Sequence, residues 1–300
     1  MGASVNYLDS LKNYLRIDSA VKDEFIHELR GHLEDKIREL RETGMSEEEA
    51  SATAVKFLGS PRILAQQIYE VYSQGSWRET LFAVLPHFLT ASLFVLRWWS
   101  NPIWLGIIVV GVIATVIYGW CHGKPTWLFS WLGYLLIPVV AAGVMLLYLP
   151  GGWAWLAALV YVPLAIFILI LVARQILKID WLFVSLMLIP VPIVLGWIMV
   201  LSTSDAFLGG ERVYEAASWI ALSFAVLALS VATFIRVRQR WIKAGALLVC
   251  ATMVLAVVAL VSNNALSLWV WLFLSLLALS HLFVPALLER GIRGKLTPDN

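Results

Sequence analysis

Two hydrophobic patterns divide the chain near residue 76. Before it, apolar residues recur at helical spacing: Tyr7, Leu8, Leu11, Tyr14 and Leu15, then Val21, Phe25, Ile26, Leu29, Leu33, Ile37 and Leu40. That spacing puts them on one face of each of two amphipathic helices, with polar residues opposite. After it, the apolar runs are continuous and show no polar face. A hydrocarbon layer of roughly 30 Å takes about 20 residues of helix. Eight segments approach that length: 80–98, 103–120, 127–149, 153–173, 181–202, 219–235, 244–261 and 266–288.

Single residues mark the helix ends in the first part. Gly44 suits a left-handed C-terminal cap, and Ser46 with Glu49 three residues on makes a capping box for the next helix. That third helix is predicted to run to Leu58 and stop at Gly59, where Ser60-Pro61 offers an N-cap followed by proline at the first helical position. A fourth helix carrying Ile63, Leu64, Ile68 and Tyr72 leads to Gly75. The expected architecture is all-α. Residues 1–76 form a small four-helix domain, near the lower size limit for independent folding, and residues 77–300 form an eight-helix transmembrane bundle.

Composition agrees, since 60% of the 300 residues are hydrophobic and only 14% are charged. Residues 1–76 hold nine basic and thirteen acidic residues, a net −4, and the remainder holds thirteen basic and seven acidic, a net +6. An acidic soluble part lacks the basic patch that neutralises phosphates, so direct nucleic-acid binding is not expected. The N-terminus shows no signal-peptide pattern. Cys121 and Cys250 form neither a redox motif nor a disulfide framework.

The segments ELRGHLEDKIREL, GMSEEEA and AVKFLGSPRILAQQI resemble the bacterial HAAS-type, or permease prefix, domain. The residues that carry the resemblance are Glu28, Leu29, His32, Leu33, Gly44, Ser46, Glu49, Ala50, Phe57, Leu58, Gly59 and Pro61. Ser60 stands where an acidic residue is common in that family, and serine caps a helix equally well. The resemblance covers roughly the first quarter of the chain. It implies a cytoplasmic prefix before a membrane domain, serving in signalling or partner contact, often in proteins encoded near PadR-like regulators. It implies no catalytic residue.

Lysine and arginine near the span ends set orientation. With eight spans, Arg78, Lys124, Arg174, Lys178, Arg236, Arg238, Arg240, Lys243, Arg290, Arg293 and Lys295 share one side, and only Arg97 and Arg212 the other. Both termini are therefore expected in the cytoplasm of a bacterial cell. Pro150-Gly151-Gly152 and Ser262-Asn263-Asn264 are predicted outer turns, and 203–217 a longer outer loop. Many of the tryptophans lie near span boundaries, where indole rings favour the interface.

Deep positions contain no Asp, Glu or Lys, which argues against a proton-coupled carrier and against a retinal protein. His87 and His281 sit at similar depth, each with a nearby proline, and would share a ligand if the first and last spans were neighbours. Hydrogen bonding to backbone or water inside the bundle is the preferred reading of both. Pro138, Pro163, Pro190 and Pro192 fall in three consecutive spans, as kinks or as the lining of a cavity. RVRQRWIK, residues 236–243, reads as a basic loop that fixes topology. Nucleotide-binding and hydrolase motifs do not occur.

The function expected is that of a non-enzymatic regulatory or sensory membrane protein without a cofactor. Its prefix would meet a cytoplasmic or membrane protein partner through the exposed α-helical stripe Glu28, Arg30, Glu34, Asp35 and Arg38, whose plain alternative is a solvated face. Oligomerisation is left open. The alternatives are a permease or transporter subunit for an apolar or amphipathic compound, and a structural subunit of a membrane complex.

Overall fold

Capping residues mark the ends of the third helix and the start of the fourth in the computed structural model, which describes residues 2–17, 19–147, 153–177, 180–201, 210–262 and 266–294, and whose first four helices pack together. They are α1 (Gly2–Tyr14), α2 (Ser19–Glu42), α3 (Glu47–Leu58) and α4 (Pro61–Tyr72). Ser46 and Glu49 form the capping box, side chain to backbone in both directions. Gly44 and Gly59 take φ of 94° and 74°, the left-handed backbone that favours glycine. Ser60 precedes Pro61 as predicted, but its side chain makes no capping hydrogen bond. Ser46→Ala is expected to cost about 1 kcal/mol by removing an N-cap, which a shift in the thermal unfolding of the first unit would measure.

These helices bury Tyr7, Leu11, Leu15, Ile17, Ile26, Ala65 and Ile68 in one cluster and Leu8, Leu33 and Ala54 in another. Tyr14, expected on the apolar stripe, is instead exposed. The chain divides into two compact units, and Asp180 belongs to the first with residues up to Gln74. There Asp180 is fully buried, with Arg16 Nη1 3.9 Å from its carboxylate. The Tyr69 hydroxyl lies in the field of the same carboxylate. Burial first, and then the Asp180 charge, raise the Tyr69 pKa well above its ordinary value, so Tyr69 stays protonated as a donor.

The second unit contains α5 (Trp77–Val95), a short 3-10 turn (Trp98–Ser100), α6 (Pro102–Cys121), α7 (Leu128–Leu147), α8 (Trp153–Leu177), α9 (Trp181–Leu188), α10 (Pro190–Leu201), α11 (Gly210–Arg236), α12 (Arg240–Ser262) and α13 (Leu268–Gly294). No strand occurs among the described residues. Among the described residues, six apolar stretches are long enough to cross a membrane: Ile103–Cys121, Leu159–Leu177, Trp181–Leu201, Val213–Arg236, Arg240–Ser262 and Leu268–Gly291. The described apolar stretch of α7 is shorter, Leu128–Ile137, and α5 carries Arg78, Glu79, His87 and two threonines along its length.

Three boundaries differ from the sequence reading. α5 starts at Trp77, because Ser76 and Glu79 form a second capping box. α11 begins at Gly210, since Val213, Ala216 and Ala217, buried at helical spacing with Ile220, lie where a loop was predicted. Residues 203–209 of that loop, the turn at 150–152 and residues 263–264 lie outside the described residues. Finally, the helix breaks at Pro190, between α9 and α10, whereas α7 runs through position 138 and α8 through Pro163.

Packing within this unit sets α5 against α11 and α7, and α13 against α9, α12, α10 and α8. Gly133 allows α7 to approach the α9–α10 break: a Cβ there would lie 2.6 Å from the Met187 carbonyl oxygen and 2.9 Å from Pro190 Cγ. Phe129 and Phe183 pack at 4.6 Å between ring centroids across the same contact.

Candidate functional site

The polar centre of the membrane unit grows from a proline. Pro86 has no N–H to offer the Phe82 carbonyl one turn earlier, and Trp131 Nε1–H of α7 donates to that oxygen at 2.8 Å. One residue away, Ser130 Oγ donates to the Ala83 carbonyl at 2.7 Å. Its single proton is thus committed, so Ser130 accepts from His87 Nε2–H at 2.8 Å. The neutral ring then presents Nδ1 as an acceptor, and the Tyr134 hydroxyl donates to it at 2.6 Å. His87, Ser130, Trp131 and Tyr134 are all buried. A buried network with every member bonded favours one arrangement strongly, because each unmade bond in a low dielectric is costly.

Tyr134 and Thr90 also line a cavity of about 560 Å³ between α5, α6, α7, α10 and α11. Along α11 the lining runs from Val213 to Phe224, about 16 Å at the helical rise. Leucine, isoleucine and valine make most of its wall, and none of the described lining residues is charged. Trp197 lines it too, and its Nε1–H donates to Ser223 Oγ at 3.2 Å. At the end away from Tyr134 stands Trp99, whose buried Nε1 has no hydrogen-bond partner. The Trp99 ring lies 5.0 Å from that of Tyr214, and the Arg97 guanidinium lies 4.9 Å above the same Tyr214 ring.

The residues singled out from sequence are dispersed. His87 stands behind the cavity wall, joined to it through Tyr134. His281 is buried on α13, donates Nδ1–H to the Ala278 carbonyl, and leaves Nε2 without a partner. α5 and α13 pack on different neighbours, so the two imidazoles belong to separate surroundings. Pro163 is exposed on α8 and Pro190 is buried beside Gly133. Pro138 lies in α7, beyond the residues whose side chains are described. Glu28, Arg30, Glu34, Asp35 and Arg38 are all exposed on α2. Asp35 and Arg38 pair with each other, and Glu28 lies 3.9 Å from His32. Among the described residues no three His, Cys, Asp or Glu side chains gather as a metal site.

Sequence reading missed Ser130, Trp131, Tyr134 and the cavity. Their signal is faint: a serine and a tyrosine four residues apart on one face of an otherwise apolar helix. It also placed Lys243 among ordinary boundary charges and passed over Glu289, yet both are buried, Lys243 with its ammonium 5.1 Å from the Phe234 ring and Glu289 3.6 Å from Arg240. Arg236 is likewise engaged, donating to the Gly75 carbonyl at 3.0 Å.

Helices of this length and apolarity, gathered about an uncharged cavity, define an all-helical, multi-pass membrane protein. Residues 6–67 match the HAAS family model, so its first unit carries a HAAS domain. Comparison with curated proteins and with solved structures gives no match for the chain.

Proposed function

We propose that this is a non-enzymatic regulatory protein of the bacterial inner membrane, in which the HAAS unit contacts a protein partner in the cytoplasm. In this reading α5 and α7 complete eight crossings, with α9 and α10 as one broken span, and both termini are cytoplasmic. The observation that carries it is the pairing of a charged HAAS unit, exposed along α2, with a membrane unit whose central polar side chains His87, Ser130 and Tyr134 are bonded to one another. The excess of lysine and arginine on one side of the eight segments supports the orientation. Bonded side chains hold one geometry well and offer little for acid, base or nucleophilic chemistry.

Full-length protein purified in mild detergent with its native partners tests this. Reversing Glu28, Glu34 and Asp35 to lysine sets like charges against a complementary surface, which costs several kcal/mol, so recovery of a specific partner should fall about tenfold or more. Recovery of the same partners by both proteins would overturn the assignment of α2 as the contact. A permease for an apolar compound is the second reading, favoured by the cavity. It predicts uptake of such a compound by vesicles containing either protein.

A further inference from the structure

The Trp99 end of the cavity has features that packing alone does not require. Trp99 Nε1–H is buried there without an acceptor, and a native protein leaves few buried donors unmatched. Two residues away, Arg97 holds a left-handed backbone, φ 58°, which is uncommon for a residue with a side chain. Its guanidinium rests on Tyr214, the ring that packs against Trp99, and it makes no ion pair among the described residues. One place thus offers an apolar slot about 16 Å long, a neutral donor at its rim and an uncompensated cation beside the rim.

We propose that the cavity binds a long-chain amphiphile with an anionic head, tail first. The chain packs against Ile108, Val112, Ile198 and Ile220, all of which line the cavity. The head stays at the rim, where an oxygen accepts from Trp99 Nε1–H and the negative charge pairs with Arg97. The opposite end, with Thr90 and Tyr134, cannot hold the anion: the Tyr134 proton is given to His87 and the Thr90 proton to the Pro86 carbonyl, which leaves only acceptor lone pairs. A free carboxylate on a fatty chain and the phosphate of a single-chain lipid share this chemistry. The proposal stands whether or not the HAAS unit proves to be the partner contact.

Photo-crosslinking of the full chain in lipid nanodiscs tests it, with a diazirine-bearing palmitate and the matching alcohol as probes and peptide mapping as readout. Palmitate should label α6, α10 or α11 about tenfold more strongly than the alcohol, because a charge-assisted bond exceeds a neutral one by that order. Arg97→Gln, at an exposed position, should abolish this preference while alcohol labelling persists. Val112→Trp, which fills the slot, should remove labelling by both probes, and Ile198→Trp serves if that variant fails to fold. Competition by unlabelled palmitate or by lysophosphatidylglycerol at the lower concentration identifies the source of the head group. Equal labelling by the two probes, labelling only outside the cavity, or labelling that neither competitor reduces would overturn the proposal.

Discussion

Gly133→Val lowers the stability of the membrane unit by about 3 kcal/mol, the upper part of the usual cost of overpacking. The reason is rigidity on both sides of the contact. A Cβ at position 133 meets the Met187 carbonyl oxygen at 2.6 Å and the Pro190 ring at 2.9 Å, and neither a backbone carbonyl nor a proline ring can swing aside. Relief requires moving α7 from the α9–α10 break, which also separates Phe129 from Phe183. Gly111→Ala is the control. Nothing lies within 4 Å of a Cβ there, so the gain in helix propensity, up to about 1 kcal/mol, should appear unopposed. Unfolding of the two variants in the same detergent, followed by tryptophan fluorescence, gives the comparison. Equal stability of the two would mean that α7 and α9 separate easily.

Arg16→Met is expected to cost the first unit about 3 kcal/mol, the lower end of the penalty for stranding one member of a buried ion pair. Asp180 is fully buried while Arg16 is partly exposed, so the loss falls on the carboxylate. The protonated Tyr69 hydroxyl remains near it, which keeps the effect from being larger. The double variant Arg16→Met, Asp180→Asn should be more stable than Arg16→Met alone, because the amide carries no charge to strand. Amide hydrogen exchange across α1 and α4 reads the stability of this unit directly. If the double variant is the weaker of the two, Arg16 acts through packing and the carboxylate is satisfied without it.

What was legible in the sequence follows from how local its cause is. The ends of α2, α3 and α4 depend on Gly44, Ser46, Glu49, Gly59 and Pro61, each acting within one turn, and these boundaries read correctly. The Ser76–Glu79 box is equally local, but the hydrophobic run behind it drew the boundary to Thr80. The prolines were ambiguous, because whether a helix breaks depends on its neighbours. Pro86 is tolerated since Trp131 supplies the missing donor, and Pro190 coincides with a break against Gly133. Asp180 gave no sign of belonging with Arg16, and the cavity arises from five helices whose individual patterns are uniformly apolar. Charged residues at span ends look alike in sequence, although Lys243 is buried and Arg97 exposed.

The bond from Trp131 to the Phe82 carbonyl has a consequence for biosynthesis. α5 leaves the ribosome well before α7 exists, and its proline-freed carbonyl would then face hydrocarbon with no donor. That carbonyl gains its donor only after residue 131 has been translated. In the eight-crossing reading proposed above, the insertion machinery or water would have to shelter that turn until then, and α5, α6 and α7 would enter the bilayer as one three-helix group and not one at a time.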